Sequence, residues 1–384
     1  MKYLIEMTPL DSYAFSGESS LQNPGEPRTR RNSYHVHSEY LPPQTTVLGT
    51  LRRCLLEWGK LFREDKAYDR AAKEEMAKLI GAEPFRFTAS EFNLGAIKGI
   101  SCVFLTHTHD DGKKSWLFPV PRNTSQDEKI LTYQPMSWDR DGFVRHQVSL
   151  NGFDVKKSLS EAYVSVPFSS EGELPAGGVE QFFANNLKTG NLVPSKNIFI
   201  SSLQSAIRKV EDDVQKGYRI HERIMFKREN GQYAFAIVAD IADGILSAPA
   251  PLIVSMGARG SLFRVQATVL KQVQGCTNNK ANRSFPEKGC CIAALSPLSL
   301  PANWRDMVSF AILNKRKIRQ MMPCSTGADA YRHDETLRFF AAPGSVLYLP
   351  QEKAKAFLEQ LEQNQNLYKA GFNHVMFLDE EVFA

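Results

Sequence analysis

Apolar and polar positions along this 384-residue chain follow two periods in turn, and neither dominates. Residues 2–7 (KYLIEM) form a short apolar run bounded by Thr8-Pro9, the pattern of a buried strand. Residues 16–34 are rich in Ser, Gly, Pro, Asn and Arg and read as a long loop carrying Arg28, Arg30 and Arg31. The period then changes. Val47, Leu48, Leu51, Leu55 and Leu56 recur at helical spacing and give one apolar stripe on a helix ending near Phe62. Pro42-Pro43 stops any helix entering from upstream. Thr45 or Thr46 is placed to cap the first free amides, and Arg52 and Arg53 follow one turn in. A more polar helix is expected over 66–80, halted by Gly81 and Pro84, and residues 85–92 read as extended. Two strand-like runs, 100–106 and 115–120, flank Asp111-Gly112, a hairpin turn signal.

Between about 121 and 195 the periodicity loosens, and only 142–150 and 163–168 look like β structure. This stretch reads as an insertion. A second half begins at 197 with an extended lead-in (197–203) and a short helix (205–216). Residues 219–227 (RIHERIMFK) and 233–241 (YAFAIVADI), joined by Asn230-Gly231, are expected to pair as a hairpin. Residues 252–256 and 261–270 should pair across Gly257–Gly260. Apolar runs follow at 290–295, 304–313 and 346–349, then a helix over 351–361 and a last strand at 374–378. The mixed order makes α+β the expected class rather than a parallel βαβ sheet. Two domains are expected, 1–196 with its insertion at about 121–195, and 197–384.

Composition excludes several classes. With 42% hydrophobic and 23% charged residues the chain is of ordinary globular type. No apolar run reaches membrane length, so no membrane partner is expected, and MKYLIEMTPLDSYAF has acids where a signal peptide would be apolar. Six cysteines without a CxxC fit neither a disulfide framework nor a structural zinc site, and point to a reducing cytoplasm. Charge is unevenly placed. Between Ser255 and Gln320 eleven bases face two acids, so the rest of a chain of net charge +5 is slightly acidic. A concentrated basic segment is the footprint of a polyanion binder, and equally of a solvated lysine-rich face.

Candidate chemistry is sparse. His107, His109 and Asp111 match the start of a zinc-hydrolase metal box, but Gly112 stands where its last histidine would be, and no metal is expected. His35 and His37 would share a strand face and supply an acid–base pair for RNA cleavage. Tyr233, Phe235 and Ile237 would share another face, as base-stacking aromatics or as core. Gly257 and Gly260 permit close backbone approach near Arg259, Ser261 and Arg264. Residues 315–319 (KRKIR) are a solvated basic run able to follow a phosphate backbone. Thr45, Thr46, Arg52 and Arg53 at a helix start suit phosphate too, although the same residues describe an ordinary strand-to-helix joint.

These pieces converge on a resemblance. Residues 9–17 (PLDSYAFSG) and 42–52 (PPQTTVLGTLR) resemble the RAMP proteins of type III CRISPR effector complexes, most closely the third, Cas-five-type Cmr subunit. Residues 256–263 (MGARGSLF), 342–348 (APGSVLY) and Gly371-Phe372 add to the match in the right order. The insertion matches nothing, and 371–373 carries one glycine where the family often has a glycine-rich loop. The resemblance implies two ferredoxin-like (RRM-like) domains and a non-catalytic, cofactor-free role in antiviral defence. Such a subunit would bind the 5′ handle of the crRNA and join neighbouring RAMP backbone subunits to the large polymerase-like subunit. Thr45, Thr46, Arg52, Arg53, Arg259, Ser261 and Arg264 are the expected RNA contacts. The alternative is a metal-independent RAMP endoribonuclease that matures crRNA through His35 or His37.

Overall fold

The computed structural model describes residues 1–21, 34–63, 68–87, 92–124, 132–137, 144–150, 153–154, 163–165, 178–184, 192–207, 218–229, 231–246, 249–257, 260–271, 289–318, 321–323, 331–333 and 338–378. Among them are six helices, α1 (Gln44–Trp58), α2 (Arg70–Ile80), α3 (Ser195–Ile198), α4 (Trp304–Met307), α5 (Gln351–Gln363) and α6 (Gln365–Lys369), set among many short strands. The class is α+β.

A nine-stranded sheet carries the first core. Its centre is Gln232–Ile241, buried on both faces along most of its length. That strand lies antiparallel between Lys2–Pro9 on one side and Phe104–Thr108 on the other. Beyond Lys2–Pro9 come Leu262–Val269 and then Leu252–Ser255. Beyond Phe104–Thr108 come Lys114–Val120, Gly178–Ala184 and Leu192–Pro194. Helix α1 covers one face. Its expected stripe is there, with Val47, Leu48, Leu51, Cys54 and Leu55 buried against Ile5, Met7, Phe263 and Val265. Full burial of such a side chain stabilises by about 1.5–3 kcal/mol.

The expected hairpin of 219–227 with 233–241 does not form. Tyr218–Phe226 pairs with Phe199–Ile207 and with Tyr34–Ser38 in a separate four-stranded sheet. The reason is burial. Gln232–Ile241 needs apolar neighbours on both faces, and the half-exposed 220–227 segment cannot supply them. Gly231, at φ 103°, instead lies against Thr108, where a Cβ would come within 2.3 Å of the carbonyl oxygen. Two further expectations change. Residues 205–207 continue a strand rather than begin a helix, with 208–216 outside the described residues. Residues 16–21 are a strand rather than loop.

The division expected at 196/197 runs through the nine-stranded sheet, because strands from both sides of it alternate there. Its inner strands take the spatial order Phe104–Thr108, Gln232–Ile241, Lys2–Pro9, Leu262–Val269, so residues 109–231 separate two adjacent strands in the chain while supplying the outer strands Lys114–Val120, Gly178–Ala184 and Leu192–Pro194 of the same sheet. In a second sheet Cys290–Ala294 lies between Val346–Leu349 and Val375–Leu378, with Phe310–Leu313 outside Val346–Leu349 and Tyr163–Ser165 parallel to Phe310–Leu313 at the edge. Helices α4 and α5 fall in the two crossovers, giving the chain order strand, helix, strand, strand, helix, strand. Buried Phe357, Leu358 and Leu361 of α5 fill its core with Ile292 and Leu347. The two sheets share packing, since Phe340 and Phe372 join the first core and Leu295 lies with Leu4, Phe104 and Val238.

Candidate nucleic-acid interface

Segments far apart in sequence meet in two places. The first is the loop after Lys2–Pro9. Tyr13 and Phe15 are fully buried against Phe235 and Phe263, with Tyr13 edge-on to Phe235 at 5.2 Å. Gly257 sits against this loop at φ 80°, where a Cβ would come within 2.8 Å of the Ala14 carbonyl and of the Phe15 ring. Only glycine fits there. Tyr13, Phe15, Gly257 and Phe263 are thus one packed unit. Ser261 is buried, and its carbonyl accepts from the Met256 amide at 2.9 Å. Arg259 lies outside the described residues.

The second is the start of α1. Pro43 occupies the N-cap position with no side-chain cap, so neither Thr45 nor Thr46 performs the expected capping. Proline's fixed φ pre-sets the turn, and its carbonyl accepts the amides of Thr46 and Val47. The first turn carries no acid, so the positive end of the helix is uncompensated there. Gln44 is buried and its Nε2 donates to the Ser101 carbonyl at 2.8 Å. Ser101 interrupts the edge between Ile97–Ile100 and Phe104–Thr108. Its hydroxyl accepts the Val238 amide, doing the work of a ladder carbonyl, which leaves its own carbonyl for Gln44. Gly371 closes the cluster at φ 88°, with a hypothetical Cβ 1.9 Å from Gln44 Nε2 and 2.5 Å from the Ser101 oxygen.

The arginines of α1 do not face this start. Arg52 donates to the carbonyls of Ile80, Gly81 and Glu83, at the C-terminal end of α2 and just beyond it, at 2.8, 3.1 and 2.8 Å. Its guanidinium also lies 5.7 Å from the Phe92 ring centre, and burial lowers its pKa. Arg53 pairs with Glu57 at 2.8 Å and lies over Phe62. Arg264 is exposed, but Phe263 and Val265 on either side point to the α1 face, so Arg264 points to the other. Thr45 and Thr46 are half-buried at the helix start. The six expected contacts among the described residues therefore divide among separate surfaces.

The other lures resolve as packing. Tyr233, Phe235 and Ile237 are core, and the Tyr233 ring stacks on buried His107 at 4.2 Å, which raises the Tyr233 pKa through desolvation. His109 bonds Ser115, while Asp111 bonds the Lys113 amide and ammonium, interactions that lower its pKa. Among the described residues no three His, Cys, Asp or Glu gather in metal-binding reach. His37 lies on Tyr34–Ser38 with Nδ1 3.6 Å from Glu222, which also accepts from the Ser38 amide and Ser201. Nothing in the sequence signalled Glu222, since it comes from a strand 184 residues later. No helix among the described residues is long and apolar enough to cross a membrane.

Among solved structures, the chain is similar to one in a cryo-EM structure of the type III-B Cmr-beta bound to cognate target RNA, at 13% identity and TM-score 0.45, covering 98% of this chain and 96% of that one. A second, bound to cognate target RNA and AMPPnP, gives 12% identity and TM-score 0.42 with the same coverage. No curated protein matches. The family model for CRISPR-associated protein (Cas_Cmr3) matches residues 5–380. With nearly its whole length matched, the chain belongs to the Cas_Cmr3 family.

Proposed function

We propose that this chain is a non-catalytic, cytoplasmic RNA-binding subunit of a type III CRISPR effector complex. It holds the 5′ handle of the crRNA and bridges neighbouring RAMP backbone subunits to the large polymerase-like subunit. The family match over residues 5–380 carries the reading. The start of α1 supports it, because a first turn without acids, carrying the half-buried Thr45 and Thr46, suits phosphate. Both sheets read as ferredoxin-like. In each, four antiparallel strands take the spatial order fourth, first, third, second, with residues 109–231 lying between the second and third strands of the first. Phosphate contacts would dominate affinity and make it salt-dependent. The test is charge reversal at Arg259 and Arg264 in the assembled complex. Loss of crRNA is expected, and full retention would sink that assignment.

A second reading, crRNA maturation by His37, is favoured by the Glu222 carboxylate that faces its ring. Incubating the pure chain with repeat RNA in chelator separates the two. Site-specific cleavage that disappears in His37→Ala would make the chain a nuclease.

A further inference from the structure

We infer that the two-stranded ribbon of Lys315–Ile318 and Arg338–Ala341 is a second contact for single-stranded RNA, with Phe339 stacking on a base and Lys315 and Lys317 meeting phosphates. The inference rests on the RNA-binding reading above and adds a surface to it. The ribbon reads KRKI against RFFA, four bases and no acid. Its register sets Lys317 opposite Phe339 and Lys315 opposite Ala341, so Lys315, Lys317 and Phe339 share one face.

The other face is fully used by the fold. Arg316 forms an ion pair with Glu39, the guanidinium of Arg338 lies 5.9 Å from the Phe87 ring centre, and Phe340 is buried against Phe87 and Phe372. Those contacts fix the ribbon's orientation and bring it beside the chain entering α1. What they leave outward is a phenylalanine 59% exposed, with lysines on its own face. A lone exposed ring is unremarkable. This ring, however, shares its face with two lysines of the paired strand, and that is the composition of a single-strand platform: the ring takes a base face and the ammonium groups take the backbone. A protein partner docking on Phe339 would have to bury the lysines with it, at a desolvation cost that a phosphate backbone instead offsets. The contact would be tolerant of sequence and sensitive to salt.

The test uses the full chain and a fluorescein-labelled single-stranded oligoribonucleotide, with affinity read by anisotropy over a salt series. Phe339→Ala should weaken binding about tenfold while leaving the salt slope unchanged. Phe339→Tyr should keep the affinity. Lys315→Gln with Lys317→Gln should flatten the log–log salt slope by about 1.4, at roughly 0.7 per lost phosphate contact. Equal binding by wild type, Phe339→Ala and the double lysine variant overturns the ribbon contact and leaves the handle reading, tested through Arg259 and Arg264, standing. Failure of the wild type to bind the oligonucleotide also overturns it. Unchanged RNA affinity with lost co-purification of another complex subunit would make the ribbon a protein-docking surface and overturn the RNA contact.

Discussion

Single residues in α1 and packed against its start make two firm predictions. Gly371 combines a positive φ with a backbone oxygen 2.5 Å from any Cβ, so Gly371→Ala should cost about 1–3 kcal/mol, read as a lower denaturant midpoint. Truncating Gln44 should not rescue it, because the Ser101 carbonyl still blocks the space. Cys54 makes the second. Burial in α1 pushes its thiol up to about 12 from an ordinary 9.0. The folded state therefore keeps a proton that the unfolded chain releases. The stability this lends is complete below pH 9 and falls between pH 9 and 12 by about 1.4 kcal/mol per unit. Denaturation at pH 8 and pH 10 should show the loss, and Cys54→Ala should lessen it. Burial raises Cys291, Tyr13 and Tyr348 as well, so a residual alkaline slope is expected in that variant. Little of this was legible in sequence. The proline-stopped start and the stripe were, because they are local. The meeting of Gln44, Ser101 and Gly371 was not, because three distant segments have to fold before the glycine is cornered.

At the scale of elements, period and propensity located strands well and partners poorly. Lys2–Pro9, Gln232–Ile241, Cys290–Ala294 and Val346–Leu349 lie where their apolar runs fall. Asn-Gly is a sound local turn signal, yet pairing was decided by which strand could bury both its faces. Arg52 shows the same gap for helices. Spacing put it on the flank of α1, and it read as a phosphate contact because its acceptors belong to another helix. With three carbonyls at and just beyond the end of α2 engaged, Arg52→Ala should destabilise the protein by about 2 kcal/mol. Arg52→Lys should recover only part, since a single ammonium lacks the planar fork. Midpoints of urea unfolding measure both. The salt slope of RNA binding should be unmoved in the lysine variant, because the geometry assigns Arg52 to the α1–α2 joint.

For the whole molecule the consequence is connectivity. A boundary at residue 197 looked natural because periodicity resumes there after a loose stretch. Sequence patterns report where regular structure restarts, but not whether it returns to a sheet begun earlier. Here it does. Gln232–Ile241 is the strand between Lys2–Pro9 and Phe104–Thr108, so a fragment ending at 196 would leave both without their shared neighbour. Met7, Leu105 and the buried face of α1 would then meet water in place of Phe235, Ile237 and Phe263. Losing several such burials, each worth about 1.5–3 kcal/mol, exceeds the 5–15 kcal/mol by which whole domains are stable. Fragment 1–196, expressed apart from fragment 197–384, should therefore lack a cooperative urea transition. Co-expressed, they should recover one, because every strand of the sheet is again present. A cooperative transition in the isolated 1–196 fragment would mean that the long interruption between Phe104–Thr108 and Gln232–Ile241 is structurally separable from the sheet it divides.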